Sequence, residues 1–139
     1  MRIGLIHPPL IHARGNIWRG VAGVMPPLGL AWIAAVLEED GHDVVILDAP
    51  PEGLDERGCV EELLRRCPEG LDIVGISATT RQYSAAMNVA RIAKDLFPGV
   101  EVVLGGVHAS VRPDDVLADD AVDLVVRGEG ETTFRELAA

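Results

Sequence analysis

Five short apolar runs set what this chain can become: Arg2 to His7, Asp43 to Leu47, Asp72 to Ser77, Val100 to Leu104 and Val122 to Val126. In Val102 to Leu104 and Leu124 to Val126 the apolar residues stand at consecutive positions, the pattern of a strand buried on both faces, as in a helix-covered parallel sheet. The segments between the runs carry helical periodicity. Leu30, Ile33, Ala34 and Leu37 recur at i, i+3, i+4 and i+7 after Pro27, a plausible first helical residue, and Gly41 ends the run. Ala86, Val89, Ala90 and Ala93 repeat the spacing before Phe97-Pro98-Gly99 stops it. Glu61 to Arg66 and Asp114 to Ala118 read as shorter helices, and Thr132 to Ala138 opens a last one. Strand and helix alternating roughly every 30 residues predict an α/β fold. The expected architecture is flavodoxin-like (Rossmann-like): a five-stranded parallel sheet in the order 2-1-3-4-5, helices on both faces, with a ligand site beside the first strand.

The length of 139 residues suits one domain with its own core. The apolar stretch from Leu28 to Leu37 is about half the roughly 20 residues of a membrane span. No signal-peptide pattern follows Met1-Arg2, so the sequence reads as cytoplasmic. A formal charge of −10, with Lys94 the one lysine, speaks against nucleic acid as partner. The acidic stretches Glu52 to Glu62 and Asp114 to Asp123 read as solvated helix faces and loops. Cys59 and Cys67 have neither zinc-knuckle nor iron–sulfur spacing and read as ordinary thiols. The chain ends inside a helix at Ala139, so residues 1–139 are expected to be the N-terminal domain of a longer protein.

The carboxyl ends of the strands form the ligand crevice of a parallel sheet. There the chain breaks into glycines: Leu104-Gly105-Gly106-Val107-His108 and Arg127-Gly128-Glu129-Gly130-Glu131. Glycine at such places serves a tight turn or gives a large ligand clearance. Common tenants of the fold are excluded by what the strand ends lack. His7-Pro8-Pro9-Leu10 replaces the Gly-x-Gly-x-x-Gly of a dinucleotide site, and no Walker-type phosphate loop exists. Nor do His7-Pro8-Pro9 and Ser77-Ala78-Thr79-Thr80 supply the carboxylates of a phospho-receiver. What remains is a rim of hydroxyls and glycines: Ser77, Thr79, Thr80, Gly105, Gly106, Gly128 and Gly130. The long connection from Pro8 to Pro26, which holds Trp18, is of the kind that is usually functional. His108 could face the ligand or cap local backbone, and Glu129 and Glu131 suit the positive end of a helix.

The succession Gly75-Ile76-Ser77-Ala78-Thr79, Leu104-Gly105-Gly106-Val107-His108-Ala109 and Arg127-Gly128-Glu129-Gly130-Glu131-Thr132 resembles the N-terminal cobalamin-binding domain of cobalamin-dependent radical-SAM enzymes. That class includes proteins similar to the anaerobic magnesium-protoporphyrin IX monomethyl ester oxidative cyclase. Ile6-His7-Pro8-Pro9 and Pro26-Pro27-Leu28-Gly29-Leu30 are also typical of it. The resemblance implies a slot for the dimethylbenzimidazole tail, with Ser77 and the Gly105-Gly106 pair lining it. It implies as cofactor contacts Ser77, Thr79, Thr80, Gly105, Gly106, Val107, His108, Gly128, Glu129 and Gly130. In the wider family a histidine of an Asp-x-His-x-x-Gly motif ligates cobalt. Here Leu10-Ile11-His12-Ala13-Arg14-Gly15 has leucine in place of the aspartate and sits too far from the strand. Lacking the carboxylate that would orient it, His12 is expected to be a surface-loop residue, with no protein ligand on the metal.

The function so implied is a cobalamin-binding module presenting the corrin to a radical-SAM catalytic domain beyond residue 139. That domain would carry the iron–sulfur cluster and S-adenosylmethionine, and the parent would be a methyltransferase or oxidative cyclase. No nucleophile–base pair or cluster loop is found in these residues, so no catalytic residue is assigned. The other reading is a ligand-free flavodoxin-like interaction domain that keeps its glycines for turns.

Overall fold

The computed structural model describes residues 1–10 and 25–139. Five parallel strands, β1 (Arg2–His7), β2 (Asp43–Asp48), β3 (Ile73–Ser77), β4 (Glu101–Gly105) and β5 (Leu124–Val125), form one sheet in the order 2-1-3-4-5. On one face lie α1 (Leu28–Glu39) and α7 (Glu131–Ala138), packed on Ile3, Leu5, Ile73 and Val103. The other face carries α3 (Glu56–Arg66) and α4 (Tyr83–Leu96), which bury Ile6, Val74, Ile76, Val102 and Leu104 with Val60, Leu63 and Val89. Short helices α2 (Ala49–Glu52), α5 (Val107–Val111) and α6 (Pro113–Leu117) complete the connections. This is the expected doubly wound fold. No helix among the described residues is long and apolar enough to cross a membrane.

The elements differ from the sequence expectation where side chains override periodicity. Helix α3 starts at Glu56, well before the expected Glu61, because the Asp55 carboxylate accepts the Gly58 N–H at 2.7 Å and caps it. Pro27 lies just outside α1 with ψ 71°, as its N-cap and not its first residue. Strand β5 is two residues long where Val122 to Val126 was expected. Its first part is taken by a turn in which Asp119 accepts the N–H groups of Ala121 and Val122. Val126 still donates to the Leu104 carbonyl before Gly128, at φ +69°, turns the chain away. Helix α5 follows directly on Gly106, an element that the sequence periodicity does not announce. Cys59 is fully buried and Cys67 half-buried, both as free thiols; burial first, then nearby carboxylates, pushes the Cys59 thiol up to about 12.

The single lysine ties the thin edge of the sheet. Lys94, on α4, donates to the Asp123 carboxylate, which also accepts the Val102 N–H at 2.7 Å. Partial burial alone would raise the Asp123 pKa, but the ammonium and the amide together outweigh it and hold the carboxyl below its ordinary value. A depressed carboxyl contributes stability that is present at neutral pH and lost as pH falls through the folded-state pKa. Asp123→Asn should therefore lower the urea midpoint at pH 7. The gap to the parent should close in acid, below that pKa. The effect will be small because the side chain is partly solvated.

Candidate functional site

Parallel register decides which side chains share a face at the carboxyl end of the sheet. Leu5 pairs with Gly75 and Gly75 with Val103; one step further along, Ser77 pairs with Gly105. The alternation of the strand puts all five on the α1/α7 face. Along that face β3 runs Ile73, Gly75, Ser77, and β4 runs Val103, then Gly105. Side chains thus dwindle just where helices α1 and α7 begin. A slot of about 180 Å³ opens there between sheet and helices. Gly29, Leu30 and Ile33 of α1 form one wall, and Gly130 and Phe134 of the α7 start form the other.

The slot is smaller than the roughly 300–1,000 Å³ of a site that engulfs a whole small molecule. A cavity on the order of 150 Å³ does accept a single aromatic ring. Its walls are mainly Leu5, Leu30, Ile33, Val103, Val126 and Phe134, and Ser77, Glu129 and Glu131 are the polar residues of its lining. Such a space takes one flat, mostly apolar arm of a larger ligand.

The glycines around it have different reasons. At Gly75 an added Cβ would stand 2.8 Å from Leu5 and 3.0 Å from the Phe134 ring, so this glycine lets Phe134 lie on the sheet. At Gly106, φ +91° and ψ −171° are conformations reserved for glycine. A Cβ there would meet the Ala78 carbonyl oxygen at 2.8 Å and the Ala78 nitrogen at 2.9 Å. The clearance at Gly106 therefore serves the protein's own β3 and β4 loops before it serves any ligand. At Gly105, in contrast, a Cβ would make only ordinary contact, 3.7 Å from the Val126 carbonyl. At Gly130 it would crowd only the end of Ile33.

A second hollow adjoins the slot through Ser77, Gly29, Leu30 and Gly106, and is lined further by His7, Pro27, Ala78, Thr79, Gln82 and Val107. His7 and Asp48 end neighbouring strands in register, and the imidazole Nδ1 lies 2.7 Å from the Asp48 carboxylate. The other ring nitrogen lies 2.9 Å from Gln82 Nε2. Gln82, 2 % exposed, also reaches the Pro8 carbonyl at 2.9 Å, and its oxygen accepts from the Thr79 hydroxyl at 3.0 Å and the Thr79 N–H at 3.3 Å.

Of the residues expected from sequence, Ser77, Gly105, Gly106, Gly128, Glu129 and Gly130 border the slot, and Thr79 and Val107 border the second hollow. Thr80 and His108 come together on the α4 side instead. The buried His108 ring stacks on Tyr83 with centroids 4.0 Å apart, and its Nδ1 lies 3.3 Å from Thr80 Oγ1. Its Nε2 is buried with no partner among the described residues. Glu131 occupies the first turn of α7, where the helix dipole favours it. His12 and Trp18 lie outside the described residues. Sequence reasoning missed the apolar walls Leu5, Ile33 and Phe134, and the trio His7, Asp48 and Gln82. Glycine at an interior strand position was the readable hint of the first group. Among the described residues no three histidine, cysteine or carboxylate side chains gather as a metal site.

Comparison with known proteins agrees with this fold. Residues 17–138 match the B12 binding domain family. An uncharacterized methyltransferase of Pyrococcus horikoshii is 42% identical over 138 residues, 99% of this chain and 28% of the relative. The anaerobic magnesium-protoporphyrin IX monomethyl ester cyclase of a Synechocystis strain is 33% identical over 140 residues, 100% of this chain and 27% of the relative. The chain thus spans about a quarter of the length of these curated relatives. In shape it resembles a radical S-adenosylmethionine methyltransferase, TsrM from Kitasatospora setae, solved with cobalamin and a 4Fe-4S cluster bound. The TM-score is 0.76 at 19% identity, over 99% of this chain and 24% of that one.

The two adjacent glycines should respond differently to substitution. Gly106→Ala meets Ala78 backbone and a conformation closed to L-residues, and should cost about 1–3 kcal/mol of folding stability. Gly105→Ala should be near neutral, since its Cβ finds room. Urea denaturation of both variants measures the contrast; equal losses would show that the Gly106 conformation is not what requires glycine.

Proposed function

The chain belongs to the B12-binding domain family, and from that premise we propose that it holds cobalamin with the nucleotide tail in the slot and the corrin over the strand-end rim. The observation that carries this reading is the mainly apolar slot left open at Ser77 and Gly105 beneath α1 and α7, beside the Phe134 ring that rests on Gly75. A flat bicyclic base matches its walls, and Ser77 offers a hydroxyl at its mouth. Thr79, Val107, Gly128, Glu129 and Gly130 would border the corrin edge. Thr80 and His108 would support the rim from behind, through the Tyr83 stack. When bound, the cofactor would supply a cobalt centre able to carry a methyl group or an electron.

The exposed Leu28, at 72 %, and Val107, at 64 %, give the rim an apolar border that a covering domain would bury. In a longer protein that cover would be the radical-SAM catalytic domain, carrying an iron–sulfur cluster and S-adenosylmethionine. The parent reaction would be a methyl transfer or an oxidative ring closure. The chain's own task is to bind and orient.

Cobalt should receive no imidazole from this chain. His7 has both ring nitrogens engaged, His108 is sealed against Tyr83 and Thr80, and His42 sits beside the Met1 amino group, to which the opening of β1 leads. The fourth, His12, has Leu10 where an orienting carboxylate would stand.

Two measurements test this assignment. Hydroxocobalamin titrated into the protein should give a saturable change in the visible spectrum. Gly105→Leu, which fills the slot, should weaken that binding at least about tenfold, the factor that 1.4 kcal/mol represents, while leaving the fold intact. Binding unchanged by Gly105→Leu would place the tail elsewhere. Electron paramagnetic resonance of the cob(II)alamin complex should lack nitrogen superhyperfine splitting. A three-line pattern that becomes two-line when the protein is labelled with nitrogen-15 would identify a histidine on cobalt and overturn the assignment.

A further inference from the structure

The hydrogen bonds of Gln82 can be oriented without ambiguity. The Pro8 carbonyl only accepts and the Thr79 N–H only donates, so the amide nitrogen must face Pro8 and the amide oxygen Thr79. The same nitrogen faces His7 Nε2, which must therefore be the bare, accepting ring nitrogen. The proton then sits on Nδ1 and is donated to Asp48. At the other end of the relay the Gln82 oxygen can only accept, so the Thr79 hydroxyl must donate to it. The proton of Thr79 is committed inside the protein, and in the capping box the same oxygen accepts from the Gln82 backbone, so what it has left for a ligand is a lone pair and not a proton.

Building on the cofactor reading above, we propose that the Asp48–His7–Gln82 relay makes Thr79 an acceptor-only contact that selects a carboxamide N–H on the corrin periphery over groups without a donor. Corrin side chains end in primary carboxamides, which can donate to such an oxygen. A carboxylate or ester at the same place sets lone pairs against lone pairs. Thr79 is exposed at the hollow and within the lining shared with Ser77 and Gly106, so a side chain leaving a corrin seated on the rim can reach it. His7, Asp48 and Gln82 are positioning residues: they act through Thr79. A site that reads a hydrogen-bond donor discriminates against the analogue lacking it more sharply than an apolar pocket discriminates by size.

The probes are hydroxocobalamin and its separated peripheral monocarboxylic acid methyl esters, which are neutral and lack one amide N–H. At least one ester should bind about tenfold more weakly than hydroxocobalamin, as read from the visible spectrum. Thr79→Ser should keep that preference. Thr79→Val removes the oxygen, and Gln82→Met releases the hydroxyl proton; both should erase it. Nitrogen-15 correlation spectra of the parent protein, without cofactor, should show His7 protonated on Nδ1 only. Equal binding of all esters, a preference that survives Thr79→Val, or His7 protonated on Nε2 would each overturn the inference while leaving the cofactor reading standing. Absence of any hydroxocobalamin binding would overturn the cofactor reading and this inference with it.

Discussion

The register that pairs Leu5 with Gly75 and Val103, and Ser77 with Gly105, governs everything else at the carboxyl end of this sheet. A parallel sheet covered by helices normally fills both faces with branched side chains. The α4 face does so to the end, with Ile6, Ile76 and Leu104. On the α1/α7 face the residues next along the strands are glycine and serine. The helices cannot collapse into the gap, because Phe134 already rests on Gly75 and holds α7 at the height of its ring. One close contact at the base of the slot thus props it open above. Arg135 of α7 pairs with Asp40 and Glu39 at the carboxyl end of α1, linking the two helices away from the slot.

The mouth of the slot is fixed by different means. Loops at strand ends are the most mobile parts of this architecture, yet here the β1 end, the β2 end and the start of α4 are joined by side chains. Asp48, His7, Gln82 and the Pro8 carbonyl form an unbroken chain of donors and acceptors in which each partner fixes the next. Burying Gln82 would be costly if any of its hydrogen bonds were unmade; with all of them made, it defines a single geometry. The apolar part of the site is therefore shaped by packing and the polar part by hydrogen bonds. The two meet at Ser77 and Gly106.

How much of this the sequence displayed depends on the range over which each feature acts. The central strands β1, β3 and β4, buried on both faces, announce themselves as continuous apolar runs, and the partly exposed edge strands β2 and β5 carry such runs too, so the sheet and its order were legible. Features set by a single side chain at an element's end were not: the Asp55 cap that lengthens α3, and the Asp119 turn that shortens β5. Gly105 and Gly106 look equivalent in sequence and are not, because the neighbour that forbids a side chain at Gly106 is the backbone of Ala78, from another strand end. From sequence His108 could face the ligand or cap local backbone; a helical turn from Val107 stacks it on Tyr83. The relay was hidden most deeply. His7 and Gln82 are far apart in the chain, and neither belongs to a local motif that would connect them.

The dimensions of the slot also bear on where affinity can come from. An aromatic arm of this kind buries about 150–250 Å². At roughly 25 cal/mol per Å² that is about 4–6 kcal/mol. Fixing a free ligand in place costs about 4–15 kcal/mol of translational and rotational freedom. The slot alone therefore anchors and orients but does not hold a ligand tightly. The remaining affinity must come from contacts to the body of the ligand at the rim and from whatever covers its opposite face. Apolar side chains exposed around that rim, Leu28 and Val107 among them, are in the right place to be buried by such a cover. A slot of this size would therefore hold a ligand firmly only where contacts beyond the slot, at the rim and on the ligand's opposite face, add to it.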